Sequence, residues 1–150
     1  MTPRPLDADV VRARLAELVR VCGWLAELGT PDAVLLRDDW RTRLLAERLL
    51  QQCVELAVSV NLHVAASLGR PVTGYRESFV AVADLGVLDA ALAAELAPSA
   101  GLRNVLVHEY LRVDLEVVAR AVPAAREQYL RYADAVGRWL GDATKGRADA

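Results

Sequence analysis

Residues 39–71, DWRTRLLAERLLQQCVELAVSVNLHVAASLGRP, decide the fold. Leu45, Leu49, Cys53, Leu56, Val60 and Val64 recur at spacings of three and four, which lines them along one strip of an α-helix. Asp39, or Asp38 before it, is the residue type whose carboxylate accepts the free N–H groups of a first helical turn. Gly69-Arg70-Pro71 stops the helix, with glycine at its C-terminal end and proline just beyond. The stretch predicts one long helix from about Asp39 to Leu68. His63 and Asn61 fall on or beside its apolar side. His63 reads as a satisfied core histidine, with a supporting role behind a polar site on another helix as the alternative. Asn61 is ambiguous in the same way.

The same period extends in both directions. Val11, Leu15, Leu18, Cys22 and Leu25 predict a helix over about Asp9 to Leu28, stopped by Gly29-Thr30-Pro31, with Trp24 beside the stripe as a core or interface residue. Tyr75 to Leu85 predicts a short helix that packs Phe79, Val82 and Tyr75 inward and breaks at Gly86. Asp89 caps a helix over about Ala90 to Leu96. Pro98-Ser99-Ala100-Gly101 then interrupts or kinks the chain, and a helix restarting near Ser99 would aim its free N–H groups at the residues that follow. Asp114 caps a last helix over about Leu115 to Leu140, with Val118, Val122, Tyr129 and Val136 on its stripe. Pro123 predicts a kink or break in it, and residues 141–150 read as a mobile tail. No strand-like alternation survives beside these patterns. The expectation is an all-α, up-and-down bundle of four to five main helices, one domain over residues 1–150 with its core at about 10–140.

The chemistry-bearing types gather in Gly101-Leu102-Arg103-Asn104-Val105-Leu106-Val107-His108-Glu109-Tyr110. On a continuous helix with Arg103 at zero, Tyr110 falls at about −20°, Asn104 at about 100° and His108 at about 140°. Leu106 and Val105 would then face a core, and Glu109 would be a surface charge. Arginine offers a planar, permanently charged fork that matches phosphate. Histidine moves protons near neutral pH. Asparagine orients an imidazole or holds a ligand oxygen. Arg103 and His108 suffice for metal-independent RNA cleavage, in which a 2′-hydroxyl attacks its own phosphodiester. The competing reading is a solvated or interfacial helix face that carries these residues by chance.

Composition sets bounds. The 150 residues are 54% hydrophobic and 25% charged, enough for a core and too apolar for disorder. With 5% aromatic residues and a net charge of −2, the chain is neither a base-stacking platform nor an electrostatic nucleic-acid binder, so any RNA contact is local. Cys22 and Cys53 sit in apolar stripes and read as buried thiols of a reducing cytoplasm. Residues 1–9 hold no apolar signal core, and no run of about 18 uncharged apolar residues predicts a membrane span. A metal or cofactor bundle would place Glu three residues before His, which neither His63 nor His108 has.

Arg103-x4-His108-x-Tyr110, here RNVLVHEY, resembles the signature of HEPN-domain ribonucleases and, in its form extended to tyrosine, that of the HepT toxins. Glu47–Glu55 (ERLLQQCVE) is similar to the family's second helix, and Pro71–Phe79 (PVTGYRESF) to its following turn and short helix. Ala100-Gly101-Leu102 and Asp114 flank the motif in register. The resemblance covers roughly residues 10 to 140. It implies a HEPN-type helical bundle, a symmetric homodimer whose motifs face one cleft, and a toxin that cuts RNA (tRNA or mRNA) through Arg103 and His108 with Asn104 in support. It also implies no cofactor or metal, and an MntA-like nucleotidyltransferase antitoxin that attaches AMP to Tyr110. A different class stays open: a catalytically silent helical module that binds a nucleotide or the nucleotidyltransferase.

Overall fold

The computed structural model describes residues 2–150, with Tyr110 described by its backbone alone. It is helical throughout: α1 Ala8–Glu27, α2 Ala33–Asp38, α3 Trp40–Ser67, α4 Tyr75–Asp84, α5 Ala90–His108, a 3-10 turn Tyr110–Arg112, and α6 Leu115–Ala148. Four long helices and two short ones meet the expected bundle. Side-chain caps open five of the six. Asp39 Oδ1 accepts the Arg41 and Thr42 N–H groups, which settles the Asp38/Asp39 choice. Asp7, Asp32, Asp89 and Asp114 do the same for α1, α2, α5 and α6. The six-residue α2 replaces the expected link, because Asp32 is a second cap signal one turn ahead of Leu36, which is fully buried. Gly69 ends α3 at φ +81°, a conformation that costs other residues a Cβ clash.

The core lies where α1, α3 and α6 meet, and the α4–α5 hairpin closes over α3. Phe79, Tyr129 and Tyr132 form its centre, with Tyr132 edge-on to both partners at centroid distances of 6.3 and 6.2 Å. Each such aromatic pair adds roughly 0.5–1.5 kcal/mol beyond area burial. Along α3 the buried strip is Ala46, Leu49, Leu50, Cys53, Val54, Ala57, Val58, Val60, Asn61, Val64 and Ala65. The strip is wide because α3 packs against every other α-helix. Leu45 is a correction: it is 54% exposed, one residue and so about 100° away from the inward-facing Ala46. By length and composition α3 could cross a membrane, but the residues that make it apolar are largely those packed into this core. Cys22 and Cys53 are buried free thiols on facing helices, and Cys53 is pushed up by its hydrogen bond to Cys22 and by burial.

Both interior prolines are accommodated. α5 runs through Pro98 and α6 through Pro123 as single elements. At Pro98, Tyr129 OH lies 2.5 Å from Ser99 Oγ, which itself donates to the Leu96 carbonyl at 2.5 Å. This chain of hydroxyls bolts α5 to α6 where the proline removes an amide donor. The tail expected to be mobile is also helical, to Ala148. Ala143, Lys145 and Arg147 favour helix, and the Thr144 hydroxyl folds back onto the Leu140 and Gly141 carbonyls.

His63 and Asn61 part company. Asn61 is buried, with its Oδ1 2.6 Å from the Tyr132 hydroxyl and its Nδ2 donating to Ser78 Oγ at 3.2 Å. Ser78 passes the chain on to the Tyr75 carbonyl at 2.7 Å. A polar thread thus runs from α6 through α3 to the first turn of α4. His63 is only half-buried, and its Nε2 accepts the Asp7 N–H at 2.9 Å, tying α3 to the start of α1 rather than to the Arg/His helix. Burial, then the positive charges of Arg14 and Arg4, hold its pKa below the ordinary value, against a smaller pull from Asp7. A histidine depressed in the folded state binds fewer protons than in the unfolded chain. Its contribution is complete above roughly pH 6.5 and is lost as pH falls through the folded value. The protection of the Val10 and Val11 amides, taken as their exchange rate relative to the free-peptide rate at the same pH, is therefore expected to fall as pH drops through the folded value, and that fall should disappear in His63→Gln.

Candidate functional site

α5 carries the motif and packs chiefly on α4. Its last turns are thinly covered. Leu102, Val105, Leu106 and Val107 are half-buried rather than core, while Asn104 and His108 are exposed. The reason is local: α3 and α6 touch α5 along its inner edge only, leaving a groove of about 280 Å³ between them, lined by Leu50, Val54, Leu102, Leu106, Val117 and Ala121 with Arg103 and Arg120 among its polar residues.

Arg103 turns toward α3 and α4. Its Nε donates to Glu55 Oε1 at 2.6 Å, and its guanidinium carbon lies 4.6 Å from the centre of the Tyr75 ring. The Tyr75 hydroxyl donates to the other oxygen of the same carboxylate, Oε2, at 2.7 Å. That bond, together with burial, holds the phenol pKa above its ordinary value, so Tyr75 stays a donor. Asn104 Oδ1 accepts from Arg103 Nη1 at 3.3 Å. Asn104 therefore serves the arginine, and no bond from it to His108 is found among the described residues. Glu55 entered the sequence analysis only inside a segment of the resemblance, and Tyr75 as an inward-packing helix residue with no functional role. They lie 48 and 28 positions before Arg103, and only the α3–α4–α5 packing brings them to it.

His108 is the last residue of α5 and opens onto a shallow cleft of about 280 Å³ with Glu109, Leu111 and Arg112. Here the expected geometry is corrected twice. The helix ends at His108 instead of running on through Tyr110, because Glu109 leaves it at φ −124°, ψ 35°, and the chain tightens into the 3-10 turn. Tyr110 therefore belongs by its backbone to the 3-10 turn and not to α5, and the expected stacking of its side chain above Arg103 lies outside the described residues. And since α5 does not restart after Pro98, it has no N-terminus of its own beside Arg103; the helix start that does lie there is that of α4, whose first residue is Tyr75. α5 itself brings its C-terminus to the motif, at His108, and the dipole of that end does not attract phosphate. Charge at the site comes from side chains. Among the described residues no group of three or more His, Cys, Asp or Glu stands close enough to hold a metal ion.

One chain thus offers an anchored arginine and, about 140° around the helix and roughly 7.5 Å along it, an exposed imidazole. That pair on the thinly covered end of an all-α bundle defines a class: helical domains with an Arg-x4-His site at an open face. A family model described as "Ribonuclease HepT-like" matches residues 19–136. The tRNA nuclease HepT of Aphanizomenon flos-aquae is 37% identical over 137 residues, spanning 90% of this chain and 92% of that one. The mRNA nuclease HepT of Shewanella oneidensis is 29% identical over 89 residues, 58% of this chain and 66% of its own. Among solved structures, the tri-AMPylated Shewanella oneidensis HEPN toxin in complex with the MNT antitoxin superposes with a TM-score of 0.78 at 21% identity, covering 87% of this chain and 98% of that one. The cytosolic protein YutE of Bacillus subtilis, of unknown function, superposes at 0.77 with 17% identity, covering 92% and 93%; these likenesses show the fold. The chain belongs to the HepT-like ribonuclease family.

Proposed function

We propose that this protein is the toxin of a toxin–antitoxin pair and cuts RNA without a metal, using Arg103 and His108. The observation that carries the reading is the pairing of a guanidinium locked in place with an exposed imidazole five residues on, inside a family described as HepT-like ribonucleases. His108 moves the protons, from the attacking 2′-hydroxyl or to the departing 5′-oxygen. Arg103 stabilises the charge that gathers on the phosphorane oxygens, and Asn104 steadies Arg103. The relative that matches over nine-tenths of the chain is a tRNA nuclease, so tRNA is the first substrate to test.

A homodimer belongs to this reading. In one copy the two groups diverge around the helix, whereas two copies facing each other supply two arginines and two histidines to one cleft. Leu111, 88% exposed beside His108, and the half-buried Leu102, Val105 and Leu106 are the kind of surface a second copy would cover. Tyr110 is the proposed acceptor of AMP from an MntA-like nucleotidyltransferase, consistent with a fold neighbour that is AMPylated and bound to such an antitoxin. Added phosphate and adenosine two residues beyond His108 would crowd the cleft and compete for its cations. We place the pair in the cytoplasm.

The test is the fate of tRNA and messenger RNA with purified, antitoxin-free protein in EDTA, with the intact mass of the protein recorded. Cleavage by unmodified protein, absent in Arg103→Ala and His108→Ala, supports the reading. Unmodified protein that leaves both RNAs intact would replace it with the silent binding module. Intact RNA with one or more AMP masses on the protein supports the silencing half, provided activity appears in freshly made, unmodified chain.

A further inference from the structure

We propose that Glu55, on α3 and outside the Arg-x4-His motif, is the positioning residue of Arg103, with Tyr75 as the platform beneath it. The inference deepens the nuclease reading and rests on it. An exposed arginine samples many rotamers, and a phosphate bound to it inherits that freedom. Here three contacts from two other helices and its own neighbour remove it: the Nε–H bond to Glu55 at 2.6 Å, the Tyr75 ring at 4.6 Å, and Asn104 on Nη1 at 3.3 Å. The side chain of Arg103 is left only 17% exposed.

The contact also selects an edge. A guanidinium has two forked edges, one through Nε and one formed by Nη1 and Nη2. Glu55 occupies the first through Nε, so an RNA phosphate meets the end-on fork, where Nη1 also donates to Asn104 Oδ1 at 3.3 Å and would share or yield that longer bond. The second oxygen of the carboxylate accepts from the Tyr75 hydroxyl at 2.7 Å, which fixes the orientation in which Glu55 holds the arginine. The triangle of carboxylate, phenol and guanidinium is tied to the core through the Tyr75 backbone, Ser78, Asn61 and Tyr132. A displacement of the reacting groups by about 1 Å can cost ~100-fold in rate, which sets the scale of the effect.

The experiment is steady-state RNA cleavage by wild type, Glu55→Gln, Glu55→Ala and Tyr75→Phe, repeated for Glu55→Ala in an Arg103→Lys background, with melting temperatures and the Arg103 Nε–H resonance of labelled protein. Glu55→Ala is expected to lower kcat roughly 30- to 100-fold with KM changed less than about threefold. Glu55→Gln, which keeps one acceptor, loses less, and Tyr75→Phe loses least. In the Arg103→Lys background Glu55→Ala adds little, because Glu55 acts through the arginine. Equal losses in both backgrounds would make Glu55 merely structural and overturn the proposal, as would a Glu55→Ala enzyme as fast as or faster than wild type, which would make the contact a restraint. If unmodified wild type cleaves nothing, the nuclease reading falls. Glu55 is then judged by the resonance alone: its loss in Glu55→Ala supports positioning of Arg103, and an unchanged signal overturns it.

Discussion

His108→Ala is expected to lower RNA cleavage by about 10²–10⁴-fold, the range for losing a positioned proton-transfer group, while the fold stays as stable as wild type. The structural half of that expectation comes from placement. His108 is exposed, ends α5, and holds no neighbouring helix in place. Surface changes of this kind shift stability by roughly 0.5 kcal/mol or less. Arg103→Ala is expected to be at least as damaging to activity and less innocent structurally, since it leaves the Glu55 carboxylate with Tyr75 as its remaining partner. Initial rates beside thermal melts separate the two. A His108→Ala protein that cleaves at the wild-type rate would remove the imidazole from the mechanism.

The largest expected effect on stability is elsewhere. Asn61→Ala should cost about 2–4 kcal/mol, because it strips partners from two groups at once. The fully buried Tyr132 hydroxyl loses the acceptor at 2.6 Å and keeps only the Ala57 carbonyl at 3.0 Å. Ser78 Oγ, also fully buried, loses its donor. A small cavity adds to the loss. For a chain of this size the melting temperature should fall by about 5–12 °C. Asn61→Asp offers a second check. It keeps the acceptor for Tyr132 but removes the donor to Ser78 and buries a carboxylate, so it too should melt early, and more so at high pH than at low. A melting temperature unchanged in both variants would mean that the thread from α6 to α4 contributes nothing.

That thread shows where the sequence was legible. The apolar strip of α3, its Asp39 cap and its Gly69 stop are all local signals, and the structure follows them to within a residue. Asn61 stood out as polar on an apolar side, but its partners, Ser78 and Tyr132, are 17 and 71 residues away and no spacing rule connects them. The same holds for Arg103. Its residue type and its neighbour Asn104 could be read directly, whereas the carboxylate and ring that anchor it come from α3 and α4. The proline signals left a break or a kink open at Pro98 and Pro123, and the structure removes the break, since α5 and α6 run through them. Propensity counts the amide lost at Pro98 but not the Tyr129–Ser99–Leu96 hydroxyl chain one residue on, which ties this turn of α5 to α6. The end of α5 carries neither glycine nor proline, so the break at Glu109, which leaves Tyr110 outside α5, had no sequence mark at all.

The most direct test of the central claim is the chemistry of the cut ends. Cleavage by a 2′-hydroxyl acting on its neighbouring phosphate, with His108 moving the protons and Arg103 holding the phosphate, leaves a 2′,3′-cyclic phosphate on one fragment and a 5′-hydroxyl on the other, in the presence of EDTA. Purified tRNA cut by antitoxin-free protein and analysed by fragment mass is expected to show those termini. Fragments with 3′-hydroxyl and 5′-phosphate ends, or cleavage that stops when EDTA is added and returns with a divalent cation, would contradict it and require a metal-activated water in place of the Arg103–His108 pair.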